Sequence, residues 1–235
     1  MPRTMVHGLS FFLWASSLLV FGTLGGIYIL LSFFIDAKTL HPFARAACWL
    51  GLLSGGQRLV VRGEFPALGE SPRIYIFNHT SMLDTLILGA VIPHFFGAVG
   101  KAEQFDLPFW GTLIRRWGAI PLKRDHLEEA IESLNLASER LAEGGAILIS
   151  PEGTRSRDGS LQPFKKGPFH LALQNQAEII PLSIEGSFAA KRRGSWVLRP
   201  ALIQVSPLPT IRITENETVD SLRHRAWQAF QTSPC

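Results

Sequence analysis

Ile74-Tyr75-Ile76-Phe77-Asn78-His79-Thr80-Ser81-Met82-Leu83-Asp84 is the stretch whose reading decides the fold. Its first four residues are apolar, β-branched or aromatic, and describe a short strand buried on both faces. They run straight into a histidine and, five residues later, an aspartate. In an open α/β sheet the carboxyl end of a strand is where ligands commonly bind. A neutral imidazole accepts a proton near neutral pH. A carboxylate on its other ring nitrogen fixes the tautomer and stabilises the imidazolium that forms. Asp84 is near enough in sequence to reach back across a first helical turn, and Asn78 to position the loop. A plainer reading stands beside this one. Ser81-Met82-Leu83-Asp84 also fits a capping box, in which Asp84 only caps a helix and His79 is an ordinary loop-end residue. No Gly-x-Ser-x-Gly elbow occurs in the chain, so a histidine acting as base would activate the substrate's own hydroxyl.

A second strand-to-turn junction lies downstream. Ala146-Ile147-Leu148-Ile149 leads into Ser150-Pro151-Glu152-Gly153-Thr154-Arg155-Ser156. Gly153 suits a tight turn, and Arg155 can hold a phosphate through two parallel hydrogen bonds. The plain alternative is a polar turn with a solvated arginine. Arg157, Lys165 and Lys166 follow, and Lys101 and Lys123-Arg124 stand after other apolar runs. These cations are expected to converge at one edge of the sheet, with Arg155 and His79 in one cleft.

From about residue 57 onward, short apolar runs alternate with helical periodicity. The strands expected are 58–62, 73–77, 96–100, 119–122, 146–150, 179–184, 196–199 and 202–206. Helices are expected over 125–143, capped by Asp125 and ended by Gly144-Gly145, from near Met82, over 167–175 and over 219–231. This alternation predicts an α/β fold, a single domain with a central sheet flanked by helices, over residues 57–235. Residues 1–56 read as a membrane-anchoring helical segment. The uncharged run Leu9–Ile35 exceeds the roughly 20 residues that span a bilayer. The shorter run Phe43–Leu53 is broken by Arg45. A single span and a helical hairpin dipping into one leaflet are both compatible with this pattern.

Composition narrows the function classes. Charged residues make up 18% of the 235, below the usual value of about 25%, and the deficit sits at the N-terminus. The net charge of +4 suits an anionic membrane surface or phosphate-bearing substrates. No basic run with interleaved aromatics points to nucleic acid. The two cysteines, Cys48 and Cys235, have neither metal nor disulfide-framework spacing, and no His-Glu-x-x-His segment suggests a catalytic metal.

Taken together, the motifs resemble the 1-acylglycerol-3-phosphate acyltransferase branch of the glycerolipid acyltransferases. Asn78-His79 and Asp84 match its Asn-His-x4-Asp signature, and Lys101-Ala102-Glu103 its Lys-x-Glu segment. Gly118–Arg124 corresponds to Gly-x-Ile-Phe-Ile-Asp-Arg, Pro151–Ser156 to Pro-Glu-Gly-Thr-Arg-Ser, and Phe164–Gly167 and Ile180-Pro181-Leu182 to the later elements. The resemblance implies a glycerol-phosphate acyltransferase-like fold and acyl transfer from acyl-CoA or acyl carrier protein to the free hydroxyl of 1-acylglycerol 3-phosphate, giving phosphatidic acid. It implies His79 as general base and Asp84 as its orienting partner. Arg124 and Arg155 would bind the acceptor phosphate with help from Lys101, and Asn78, Glu152, Gly153 and Thr154 would shape that pocket. It further implies no metal or cofactor, membrane lipids and the lysophospholipid as partners, and a place on the cytoplasmic face of a bacterial inner membrane. Ser150, Pro121 and Lys123 depart from the family's Phe, Phe and Asp. The departures bear on which lysolipid is accepted and keep other acceptors open, such as a lyso-ornithine lipid or glycerol 3-phosphate. A thioesterase and a non-catalytic lipid-binding protein are the more distant readings.

Overall fold

A computed structural model describes residues 3–67, 69, 71–123, 127–143 and 145–232. The strands are β1 (Gln57–Val61), β2 (Arg73–Phe77), β3 (Gly97–Lys101), β4 (Ile120–Leu122), β5 (Ala146–Ile149), β6 (Glu178–Glu185) and β7 (Ala201–Pro207). They form one sheet in the order β1-β7-β6-β2-β5-β3-β4. Every neighbouring pair runs parallel except β6 and β7. β2 lies inside the sheet, with Ile74 opposite Ile147 of β5 on one side and Ile179 of β6 on the other.

The period of two along β2 builds both halves of the core. Tyr75 and Phe77 face one way, into a cluster with Leu52, Leu83, Ile87, Ile180 and Leu182. Ile74 and Ile76 face the other way, among Ile147, Ile149, Phe169, Leu171 and Leu222. The first layer is covered by α2 (His41–Ser54) and α3 (Asp84–Val91). The second is covered by α5 (Leu127–Ala142), α6 (Gly167–Asn175) and α8 (Val219–Gln231). After β2 the chain passes through α3 to β3 on one side. After β5 it passes through α6 to β6 on the other side of β2. The two connections diverge at the carboxyl end of β2 and open a crevice there, the usual ligand position in such sheets.

Seven of the eight expected strands are present. Residues 196–199 are not a strand, although Val197 and Leu198 are buried as a strand would bury them. Their backbone groups are spoken for elsewhere. The Trp196 and Leu198 carbonyls accept from Trp14 Nε1 and Ser10 Oγ of the N-terminal helix, and Arg199 N–H donates to the Ala190 carbonyl. Pro200 follows, which cannot donate to a ladder. The expected helix over 125–143 is observed as α5, while its capping residues Asp125 and Gly144 lie outside the described residues. Two further helices were not expected: α4 (Trp110–Trp117) and the one-turn α7 (Ser187–Ala190).

The N-terminus is a helical hairpin. α1 (Arg3–Leu31) is apolar and long enough to cross a membrane, and it runs antiparallel to α2. A Cβ on Gly56 would meet Leu13, one on Gly55 would meet Ser17 and one on Gly51 would meet Phe21, so register falls along one helix as it rises along the other. Ser17 Oγ donates to the Gly51 carbonyl across this seam (2.7 Å). α1 also lies along the α/β domain. His7 stacks on Trp196 and Tyr28 packs against Trp117, contacts about 30 Å apart at a rise of about 1.5 Å per residue. The opposite face is apolar and open to the surroundings, through Phe11, Phe12, Leu18, Leu19 and Leu30. It continues into the turn after α1, where Phe34 is 86% exposed.

Candidate active site

His79 leaves the end of β2 and meets Asp84 at the first turn of α3. His79 Nδ1 lies 2.9 Å from Asp84 Oδ2. A carboxylate only accepts, so Nδ1 carries the hydrogen and Nε2 is the basic nitrogen. The same Oδ2 accepts from the N–H groups of Thr80 and Ser81, each at 2.8 Å. Asp84 is fully buried, and its Oδ1 has no hydrogen-bond partner. The two readings of this segment therefore coexist: one oxygen both gathers the loop before the helix and orients the imidazole. The arrangement also removes an option. Backbone N–H groups just before α3 would be natural donors to a carbonyl oxyanion, but those of Thr80 and Ser81 are committed to Asp84. The His79 N–H is committed to Glu152.

The turn after β5 brackets His79. Glu152 Oε1 accepts from His79 N–H (2.6 Å), its Oε2 accepts from Gln162 N–H (3.0 Å), and Ser156 N–H donates to the His79 carbonyl (2.8 Å). Gly153 carries the turn at φ +71°, in the left-handed region where a side chain is strained. Arg155 thus stands one residue from a direct backbone bond to His79, so the two distant segments are neighbours beyond the ends of β2 and β5.

Glu152 is 2% exposed. Burial pushes its carboxyl up to about 7, against the pull of the His79 and Gln162 N–H groups and with a further push from Asp84. Between the ordinary carboxyl value and about 7 the folded state holds a proton that the unfolded chain releases. This contribution to stability therefore falls as pH rises through that window. Glu152→Gln removes one acceptor and turns an NH₂ toward a backbone donor. The loss of such a pairing costs about 1–3 kcal/mol, and Tm should fall by about 2–4 °C per kcal/mol. Melting curves should show a larger deficit at pH 5 than at pH 8. An unchanged Tm at both values would show that Glu152 does not bracket His79.

Asn78 extends the pairing of β2 with its side chain. Its Nδ2 donates to the Ile184 carbonyl (2.8 Å), and its Oδ1 accepts from Ile184 N–H (2.7 Å). It fixes the strand end from which His79 departs. Thr154 is exposed and accepts from Arg193 at 3.3 Å. Lys101 lies at the end of β3, paired with Glu103 at 2.7 Å. Arg124 lies outside the described residues. Of the other cations expected to converge, Lys123 pairs with Glu129 and Lys166 with Asp220 of α8. Sequence reasoning passed over Gln162 and the run Lys191-Arg192-Arg193. Arg193 Nη1 donates to the Arg155 carbonyl at 2.6 Å. Three consecutive cations after a strand and a short helix were a visible signal, but their neighbours were not. Among the described residues no group of three or more His, Cys, Asp or Glu side chains is arranged to hold a metal ion.

The family model described as acyltransferase matches residues 58–185, more than half of the chain and both strand-to-turn junctions. The chain belongs to the acyltransferase family. Among curated acyltransferases, it is 40% identical over 150 residues to the 1-acyl-sn-glycerol-3-phosphate acyltransferase of Limnanthes douglasii, covering 63% of this chain and 53% of that one. To the Saccharomyces cerevisiae enzyme of the same name it is 31% identical, covering 83% of this chain and 67% of that one. To the human alpha form it is 30% identical, covering 75% and 65%. The chain spans about half the length of the curated Limnanthes and Cocos relatives it matches. The fold of this acyltransferase-family chain is that of the 1-acyl-sn-glycerophosphate (LPA) acyltransferase PlsC from Thermotoga maritima. That crystal structure matches with a TM-score of 0.81 at 21% identity, covering 98% of this chain and 95% of that one.

Proposed function

We propose that this protein transfers a fatty acyl group from an acyl thioester, acyl-CoA or acyl carrier protein, to the free hydroxyl of 1-acylglycerol 3-phosphate, forming phosphatidic acid. The observation that carries the reading is the junction itself. A carboxylate-oriented imidazole and the Arg155 turn are joined by direct hydrogen bonds at the carboxyl end of β2. The relatives named for this activity support the choice of acceptor.

In this mechanism Arg155, with Arg124 and Lys101, holds the acceptor's phosphate, and Thr154 and Gly153 shape the turn that presents it. His79 Nε2 takes the proton of the acceptor hydroxyl as its oxygen attacks the thioester carbonyl. The carbon–oxygen bond forms, the carbon–sulfur bond breaks, and the imidazolium returns its proton to the departing thiolate. Asp84 stabilises the imidazolium in between. The chain's own residues perform these steps without a metal or cofactor. An apolar cavity is lined in part by Thr85 and Leu86, which follow Asp84 in α3. Phe21, Tyr28, Phe96 and Trp110 complete much of its wall, and its lining suits an acyl chain better than water. Purified protein supplied with labelled acyl-CoA and a panel of lysolipids, with chelator present, is expected to form phosphatidic acid. Acylation of another acceptor in its place would correct the substrate. Release of free fatty acid alone would identify a hydrolase.

Residues 1–56 are the anchor in this reading and residues 57–235 the acyltransferase domain. The open apolar face of the α1–α2 hairpin enters the cytoplasmic leaflet of a bacterial inner membrane and places the crevice at the lipid surface. Disrupting that face with Phe11→Asp, Phe12→Asp and Leu19→Asp together should move the protein from the membrane pellet to the supernatant at high salt. Retention in the pellet would place the anchor elsewhere.

A further inference from the structure

One loop touches both halves of the crevice. Lys191–Ser195 follows α7, and Lys191 is only 6% exposed. Its carbonyl accepts from Ser81 Oγ (2.8 Å), two residues past His79. Its ammonium donates to the carbonyls of Arg192 (3.2 Å) and Ser195. Arg193 reaches the other segment, donating through Nη1 to the Arg155 carbonyl (2.6 Å) and to Thr154 Oγ1 (3.3 Å). Arg192 instead turns outward over the Phe188 ring.

Charge distinguishes this cluster from three of the cations that the sequence places after other strands and turns. Lys101, Lys123 and Lys166 each sit against a carboxylate. Among the described residues, no ion pair involves Lys191, Arg193 or Arg155. Burial holds the Lys191 ammonium below the usual lysine range, and the charge of Arg155 pushes the same way. Lysines are almost never buried to this degree without a pairing charge. Cations gathered in a crevice without a protein carboxylate favour a bound anion, which relieves their mutual repulsion.

We propose that the Lys191–Ser195 loop is a positioning element for a phosphate monoester. Arg193 fixes the backbone from which the Arg155 guanidinium reaches the phosphate, and Lys191 adds unshared positive charge beside it. The identity of the phosphate as the acceptor's headgroup rests on the function proposed above. The existence of an anion site does not.

Two measurements on the full-length protein in detergent separate these claims. Titration with sn-glycerol 3-phosphate should raise the Tm of the wild type, and Arg193→Ala and Arg155→Ala should each abolish the rise. No rise in the wild type overturns the anion site, whether or not the protein acylates 1-acylglycerol 3-phosphate. In turnover, Arg193→Ala should raise the KM for that acceptor about 10–100-fold, the range of a lost charge-assisted contact. Its kcat, its KM for acyl-CoA and its rate with monoacylglycerol should stay within about threefold of wild type, a margin of about 0.65 kcal/mol. Arg193→Lys keeps the charge without the fork and should fall between; it carries the test if the alanine variant does not fold. An equal loss of kcat on the phosphate-free acceptor would show a merely structural loop and overturn the proposal. A KM increase confined to acyl-CoA would overturn the assignment to the acceptor and give the cluster to the donor's phosphates.

Discussion

Replacing His79 by alanine is expected to lower acyl transfer by about 10²–10⁴-fold, the usual worth of a positioned general base. The fold should stay intact. The ring makes one hydrogen bond, to Asp84, and one edge-on contact with Phe77. Everything that locks the segment in place uses the His79 backbone: its N–H to Glu152 and its carbonyl from Ser156. Alanine keeps both. Asp84 also keeps the Thr80 and Ser81 donors on Oδ2, so no buried carboxylate is stranded. Turnover with labelled acyl-CoA, the melting temperature and membrane pelleting should be measured together. A protein that melts and pellets like wild type but does not transfer acyl groups supports the base. Near-wild-type turnover would remove His79 from the mechanism, and the Asn-His-x4-Asp segment would then be a structural element alone.

Much of this site was legible because each half is local. A buried four-residue apolar run must leave the sheet at its end, so the positions of His79 after β2 and of Glu152–Arg155 after β5 followed from hydrophobicity and one glycine. That the two ends are neighbours was suggested by cations standing after separate apolar runs, but the bonds that join them were not. Glu152 illustrates the gap. The resemblance implied only that it shapes the phosphate pocket, and only tertiary structure turns its carboxylate inward onto the His79 N–H. Residues 196–199 show the opposite failure. Their apolar pattern is strand-like, but α1 takes their carbonyls from a position 182 residues or more away in sequence. Local reasoning cannot see such a competitor. α4 did carry a signal, since Trp110, Leu113, Ile114 and Trp117 recur at helical spacing. Its surroundings of Pro108, Gly111 and Gly118 read more readily as turn. The antiparallel entry of β7 beside β6 had no counterpart in composition at all.

The same geometry decides between the two roles of Asp84 by experiment. In Asp84→Asn the side chain can adopt only one useful orientation. Thr80 N–H and Ser81 N–H both point at Oδ2, so the amide oxygen must take that place and the NH₂ must take the place of the partnerless Oδ1. His79 Nδ1 then still donates to an oxygen, and the tautomer and ring orientation are retained. What is lost is the negative charge. The imidazolium formed during transfer would face a neutral acceptor. A charge-assisted bond exceeds a neutral one by a margin that translates to about 10–100-fold in kcat. Stability should change little, because the two loop donors stay satisfied. Asp84→Ala is different in kind. It strips the acceptor from two buried N–H groups, each worth about 1–3 kcal/mol, and should unfold the loop before α3 as well as abolish activity. The comparison is of kcat and Tm for the two variants. A kcat loss in the asparagine variant at wild-type Tm assigns the carboxylate a chemical role beyond capping. Wild-type kcat in the asparagine variant would reduce Asp84 to the helix cap that the sequence alone also allowed.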